Sequence, residues 1–226
     1  MPTFAEQQTL LHEKLLSKAT FEEGRSLCQV QNAQLHQSAG PGALSLLDQL
    51  LEDLGDHAFS YQPPGDFETI AWALWHITRI EDAIGNLLIA GTDQVFDAEW
   101  NRRIGSQVTD TGNAMTAAEA LAFSQRIVPR ELAAYRRAVG RRSQEVIAAV
   151  TQDQIRKKPS AAGVERIVAE GVLVEDPQSF WLRDFWANKT IGGLLLLPLT
   201  RHQMMHLPNC FRLKDLAQNV NGKESQ

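Results

Sequence analysis

The chain has few cysteines, no long hydrophobic run and no excess of basic residues, and each shortage excludes a class of protein. Its two cysteines, Cys28 and Cys210, exclude a disulfide-stabilised scaffold, so we expect two buried free thiols in a reducing compartment. The longest apolar run, 191–199, contains two glycines and a proline and is too short to span a bilayer. A net charge of −5 argues against nucleic acid as a partner, because phosphate binding needs a basic face.

The N-terminus also lacks the basic start and the apolar segment of a secretory signal. We therefore expect a cytoplasmic protein that acts on neither a membrane nor a nucleic acid. One basic cluster, Arg136–Arg137 with Arg141–Arg142, lies among acidic neighbours, and we interpret it as a solvated helix face rather than an anion site.

The hydrophobic periodicity is helical along the chain, with no convincing alternating strand. It predicts helices over about 4–19, 22–54, 67–90 and 116–150, and from about 193 or 198 onward. Other signals predict a break at Gly40–Pro41–Gly42, an N-cap at Asp66, a capping box at 116–119, a kink at Pro129 and a kink or end at Pro208. A short helix is expected near Trp100, and small helices or a hairpin within 159–190.

This pattern predicts an all-α protein whose default architecture is a four-helix bundle. We expect one domain over 1–226, with a core at about 22–216. Residues 1–21 would form a helical extension, and 219–226 a flexible polar tail.

A pair of histidines four residues apart, His202 and His206, is the most informative local feature. Residues at this spacing share one helix face, and Leu195, Leu199 and Leu213 fall within about 60° of His202 at 3.6 residues per turn. Two imidazoles on an apolar stripe need a partner in the core, and a shared metal ion would supply one. The sequence argues against a metalloprotease, because the zinc-protease pattern H-E-x-x-H would need a glutamate at position 203, where this chain has Gln203.

A third histidine, His76, lies on another core-facing stripe, together with Trp72 and Ile80. Three histidines from two helices match a catalytic metal site that keeps its fourth position open. Zinc, nickel, iron or cobalt would accept such ligands. The alternative is that the three histidines are ordinary core residues that bind no metal. Trp72 is either a wall of the metal pocket or a core residue without a direct role.

The remaining candidates are interpreted as structural. Glu81 and Asp82 fall away from the His76 face and are expected on a salt-bridged surface near Arg79. His36 precedes the glycine break and is expected to be structural or to support the site. The last two histidines are expected at the surface or in loops: His12 and His57.

Three segments resemble those of a known family. The run 70–82, which contains Trp72 and His76, resembles the second helix of the DinB superfamily, the DinB/YfiT-like metalloenzymes. The run 200–207 resembles the last core helix of that family, and 111–135 its third-helix region. The resemblance covers about 34–216, and the extra N-terminal helix and the stretch 159–190 depart from the commonest members.

The resemblance implies an up-down-down-up four-helix bundle that holds zinc or nickel through His76, His202 and His206. Relatives in this family include thiol-dependent S-transferases and an isomerase that uses a low-molecular-weight thiol. Many members form homodimers, so the resemblance also implies a homodimer. We therefore hypothesise a metal-dependent enzyme acting on a small molecule, for example a thiol-dependent S-transferase or a hydrolase. No sequence motif assigns a general base. The alternatives are a non-catalytic metal-binding or interaction protein with a structural metal, and a metal-free bundle.

Overall fold

The computed structural model of the chain describes residues 4–37 and 44–224, with side chains as far as residue 220. The fold is all-helical, with 72% of the residues in helices and no strand within these ranges. The α-helices are α1 Phe4–Leu16, α2 Phe21–His36, α3 Leu46–Leu51, α4 Asp56–Ser60, α5 Ile70–Ala83, α6 Ala98–Ile104, α7 Ala117–Arg126, α8 Pro129–Ala149, α9 Ala161–Ala169, α10 Pro177–Ala187, α11 Ile191–Leu196 and α12 Gln203–Glu224. The break predicted at Gly40–Pro41–Gly42 lies outside the described residues.

The central helix is α5, and every one of its residues is buried. Its first half contributes to one apolar cluster with α3, α4, α7, α8 and α12, which includes Leu74 and Trp75. Its last turn contributes to a second cluster with α1, α9, α10 and α11, which includes Leu11 and Leu15 from the N-terminal helix. A helix buried on all sides is typical of the centre of a helical protein.

Two helix starts differ from the sequence expectation. The N-cap of α5 is Thr69, whose Oγ1 accepts a hydrogen bond from the Trp72 amide at 3.0 Å, whereas the predicted cap, Asp66, pairs with Arg212. Pro129 does not kink one long helix. The chain is extended at 127–128, and Pro129 begins α8, where its missing N–H has no helical partner to lose.

The last helix continues through Pro208, which was predicted to kink or end it. The proline removes one backbone hydrogen bond. Fully buried residues on both sides of it, Leu207 and Cys210, pack into the core and hold the helix together. The backbone of α12 is helical as far as Glu224, and residues 225–226 lie outside the described residues. The flexible tail expected at 219–226 stays a prediction. The domain limits also stay predictions.

Two helices contain wider π-helical turns, at Ile84–Ala90 and at Leu197–Arg201. In the second, the His202 amide donates to the Leu197 carbonyl at 2.8 Å, five residues back instead of four. Such a turn accommodates one more residue than α-helical pitch allows, and it often occurs at functional sites. It connects α11 with α12 directly before the histidine pair.

Glu81 and Asp82 lie in the core, contrary to the predicted salt-bridged surface, and neither is exposed. Glu81 accepts hydrogen bonds from four side chains at 2.7–2.8 Å, namely Asn32, His36, Ser143 and Gln203. Asp82 accepts one from Tyr135 and caps two backbone amides of the following loop. Partners from distant segments compensate the cost of burying these charges.

Arg136 is also fully buried, so the predicted solvated face is wrong at this position. Its guanidinium donates to Thr78 Oγ1 at 3.1 Å and to Gln203 Oε1 at 2.8 Å. Burial lowers the pKa of Arg136 to about 10, against an opposing effect of Glu81, so it remains charged at neutral pH. Gln203 therefore bridges a buried cation and a buried carboxylate.

The stretch 159–190 forms α9 and α10, so it carries helices and no hairpin. Both predicted free thiols, Cys28 and Cys210, are buried and unpaired with each other. Among the described residues, no helix is both long enough and apolar enough to cross a bilayer.

Candidate metal centre

Three histidines meet where α5 faces the start of α12. His76 lies in the middle of α5, His202 at the end of the π-helical turn, and His206 in the first turn of α12. One ring nitrogen of each lies within 4.8 Å of the others. The ring centroids are 4.9–5.2 Å apart. The structure thus brings together the three residues that the sequence singles out.

A row of loop carbonyls fixes the side chains of α5 on this side. Trp72 Nε1 donates to the Gly112 carbonyl at 3.2 Å, and His76 Nδ1 donates to the Thr111 carbonyl at 2.8 Å. Gly112 has a φ of +74°, and a Cβ there would lie 2.9 Å from Trp72 Nε1. Only glycine allows this approach without strain. The Trp72 ring stacks on His76, with centroids 4.8 Å apart and planes 10° apart.

A carboxylate that the sequence did not indicate orients the third histidine. His206 Nδ1 donates to Glu68 Oε1 at 2.8 Å, and Asn209 donates to the other oxygen at 2.6 Å. Because Glu68 lies 138 residues from His206 in the chain, no local spacing connects the two. The one sequence signal that could have pointed to Glu68 is its position directly before Thr69, the N-cap of the helix that carries His76.

These hydrogen bonds determine which ring nitrogens are available. A carbonyl and a carboxylate only accept, so Nδ1 of both His76 and His206 carries the proton and Nε2 is left as a lone-pair donor. His202 Nδ1 is buried without a hydrogen-bond partner. A buried polar atom without a partner is rare in proteins and calls for an explanation such as a bound ion or water.

The surroundings favour the neutral imidazole. Burial, followed by the neighbouring histidines, holds the pKa of His76 well below its usual value. Burial and the proximity of His206 lower the pKa of His202 to about 3. Burial would raise the pKa of Glu68, but its hydrogen bonds from His206 and Asn209 prevail and lower it. At neutral pH the site therefore offers neutral imidazoles at His76 and His202 beside an ionised carboxylate at Glu68, and metal binding requires these protonation states.

The residues present fit a divalent transition metal. Three imidazoles are a recurrent ligand set for zinc, nickel and related ions. The hydrogen bonds from His76 to a carbonyl and from His206 to a carboxylate are those that usually orient metal-bound histidines. The buried nitrogen of His202 without a hydrogen-bond partner is compatible with a bound ion.

The histidines lie on the wall of a cavity of about 520 Å³. Its mouth is open to solvent, since two of its lining side chains, Trp181 and Met205, are 54% and 62% exposed. Trp72 also lines it, so this residue is both a core residue and a pocket wall. One wall comes from α10, within the stretch 159–190. A cavity of this size is typical of sites for small molecules.

The other histidines lie apart from this cluster. His36 is fully buried and donates to Glu81 Oε2 at 2.8 Å, which agrees with the structural role expected of it. His12 and His57 are exposed, and the latter lies in the short helix α4.

Comparison with known proteins gives one finding. A family model described as the DinB superfamily matches residues 42–207, a segment that contains all three clustered histidines. No curated protein matches the chain.

Proposed function

This chain belongs to the DinB superfamily, and we propose that it is a metal-dependent enzyme acting on a small molecule. His76, His202 and His206 would hold one divalent transition metal, with zinc or nickel favoured. The reaction class that we propose is thiol-dependent S-transfer or hydrolysis. The four-helix, up-down-down-up arrangement of the family is the bundle we propose for the all-helical fold.

The observation that carries the proposal is the position of the three imidazoles. They converge on one side of a cavity that is large enough for a small molecule and open to solvent. A purely structural metal is normally enclosed by four protein ligands, whereas a catalytic one keeps a position open. Within the described residues, the cluster contains three histidines and no fourth ligand.

The side chains of this site have distinct tasks. Thr111 and Glu68 fix the ring orientation of His76 and His206, so the site is organised before a ligand arrives. Trp72 covers one face of His76 and keeps water from it. A divalent metal held in this way lowers the pKa of a bound water or thiol. The protein would therefore need no separate general base, and none of the described cavity-lining side chains is a carboxylate.

Metal analysis of the purified chain without a histidine tag tests the proposal. We expect about one zinc or nickel per chain, loss of that metal in His202→Ala, and retention in the exposed control His57→Ala. The His202→Ala variant should also melt at a lower temperature than the loaded protein, because a ligand bound only to the folded state stabilises it. Full metal content in His202→Ala would refute the site.

Accessibility of the metal separates the enzyme from its main alternative, a non-catalytic protein with a structural metal. In the cobalt-substituted protein, an added thiol should change the visible absorption spectrum if one coordination position is open. An unchanged spectrum with full metal content would favour the structural metal.

We also propose a cytoplasmic homodimer that uses a low-molecular-weight thiol as its second substrate. The two buried free cysteines suit a reducing compartment, and the dimer and the thiol follow from the family resemblance. Light scattering of the purified chain would test the dimer. Activity screens with and without added thiol would test the second substrate.

A further inference from the structure

The cavity beside the three histidines is rich in aromatic side chains. Among its lining residues are three of the five tryptophans of the chain and two of its nine phenylalanines. They are Phe67, Trp72, Trp181, Phe185 and Trp186. Flat aromatic walls favour flat apolar ligands, which stack on them or meet them edge to face.

The same cavity is without formal charge. Of the described residues that line it, none is Lys, Arg, Asp or Glu, and apart from the histidines the polar ones with hydrogen-bonding side chains are Asn113 and Gln178. An anionic group on the body of a ligand would lose water here without gaining a cationic partner. A cationic group there would likewise meet no carboxylate among the described lining residues.

We propose that the substrate of this site is a neutral, mainly aromatic small molecule. Its ring would lie against α10, and one donor group, such as a thiol, hydroxyl or carbonyl, would point to the histidines. This inference concerns substrate class and rests on the proposed metal-dependent function. It also assigns a role to the stretch 159–190, which supplies one aromatic wall and none of the histidines.

Replacement of Trp181 tests whether the aromatic side chains of α10 contact the substrate ring. Trp181 lies on α10, lines the cavity and is 54% exposed, so it can be replaced without disturbing the core. Its neighbour Phe180 is on the same helix and 38% exposed, but it is not among the lining residues. The two positions form a matched pair that differs in access to the cavity.

Calorimetric titration of the zinc-loaded full-length protein with three thiols tests the substrate class. The probes are benzyl mercaptan, 4-(mercaptomethyl)benzoate and 2-mercaptoethanol, which share the thiol and differ in ring and charge. We expect benzyl mercaptan to bind at least tenfold more tightly than either of the others. Equal or tighter binding of the carboxylated probe, or of 2-mercaptoethanol, would overturn the proposal.

The variants locate the ring. Trp181→Ala should weaken benzyl mercaptan binding by about tenfold, the range of one lost aromatic contact. Trp181→Phe should retain most of the affinity, and Phe180→Ala should bind as the parent does. Equal effects at positions 180 and 181 would refute the placement against α10.

A further titration separates failure of this inference from failure of the proposed function. If the protein binds neither zinc nor nickel, the proposed function fails. The same three probes on the His76/His202/His206 triple alanine variant then report on the cavity alone. A preference for the neutral ring that persists there supports the aromatic wall, and its absence overturns it. If zinc is bound but the charged probe is preferred, only the substrate class is wrong.

Discussion

Replacement of Glu81 by alanine should strongly destabilise the protein. The carboxylate is fully buried and accepts four side-chain hydrogen bonds. It is also the counter-charge of Arg136, to which Gln203 connects it. The two charges interact through space rather than as a direct ion pair, and removal of the carboxylate leaves the Arg136 charge in the core without compensation. Loss of a buried counter-charge of this kind costs roughly 3–5 kcal/mol. Asn32 keeps a second acceptor, the Leu199 carbonyl at 2.9 Å, which limits the loss of hydrogen bonds.

We therefore expect Glu81→Ala to lower the free energy of unfolding by about 4 kcal/mol. With a urea slope of about 2 kcal/mol per molar, the midpoint should fall by about 2 M. Urea unfolding followed by far-ultraviolet circular dichroism measures this shift. The control is Glu165→Ala on an exposed part of α9, which should stay within about 0.5 kcal/mol. A loss below about 1 kcal/mol for Glu81→Ala would refute the account of the buried network.

Three further expectations concern the site and the packing. Glu68→Gln should weaken metal binding roughly 10- to 100-fold in a competitive chelator titration, because a histidine loses its orienting carboxylate; Asp66→Asn nearby should leave affinity unchanged, and equal effects would contradict this role. In the metal-free protein, burial holds the pKa of His202 near about 3. The unfolded chain therefore takes up the proton first, and stability should fall as pH drops below about 6.5, by up to about 1.4 kcal/mol per pH unit from this residue. Denaturation curves between pH 7 and pH 4.5 measure this loss, and a flat profile would contradict it. Gly140→Ala should destabilise by about 1–3 kcal/mol, since its Cβ would lie 2.5 Å from a side chain of α2, whereas Gly85→Ala has open space and should be nearly neutral in thermal melts.

The sequence was sufficient for the features that depend on local periodicity. The spacing of His202 and His206 and the apolar stripe around His76 placed all three on inward faces, where the structure has them. The all-helical class followed from the same periodicity. The capping box at Thr116 and Glu119 was also predictable, because both of its hydrogen bonds lie within one turn.

Features that depend on tertiary contacts could not be predicted from the sequence. Glu81 and Arg136 have the residue types of a helix surface, and only partners from other helices make their burial possible. Glu68 likewise acquires its role from a histidine far along the chain. Pro208 was expected to disturb a helix that tertiary packing maintains. In each case burial or a distant partner outweighed the local propensity.

The wider turn at Leu197–Arg201 makes the chain length in this region critical. Each residue of an α-helix advances the face by about 100°, so deletion of one residue here would rotate α12 by that angle relative to α11. If Leu194 and Leu195 stayed in the core, His202 and His206 would turn away from His76. If the histidines kept their positions, the two leucines would turn out of the core. Natural variation should therefore almost never change the number of residues in this segment.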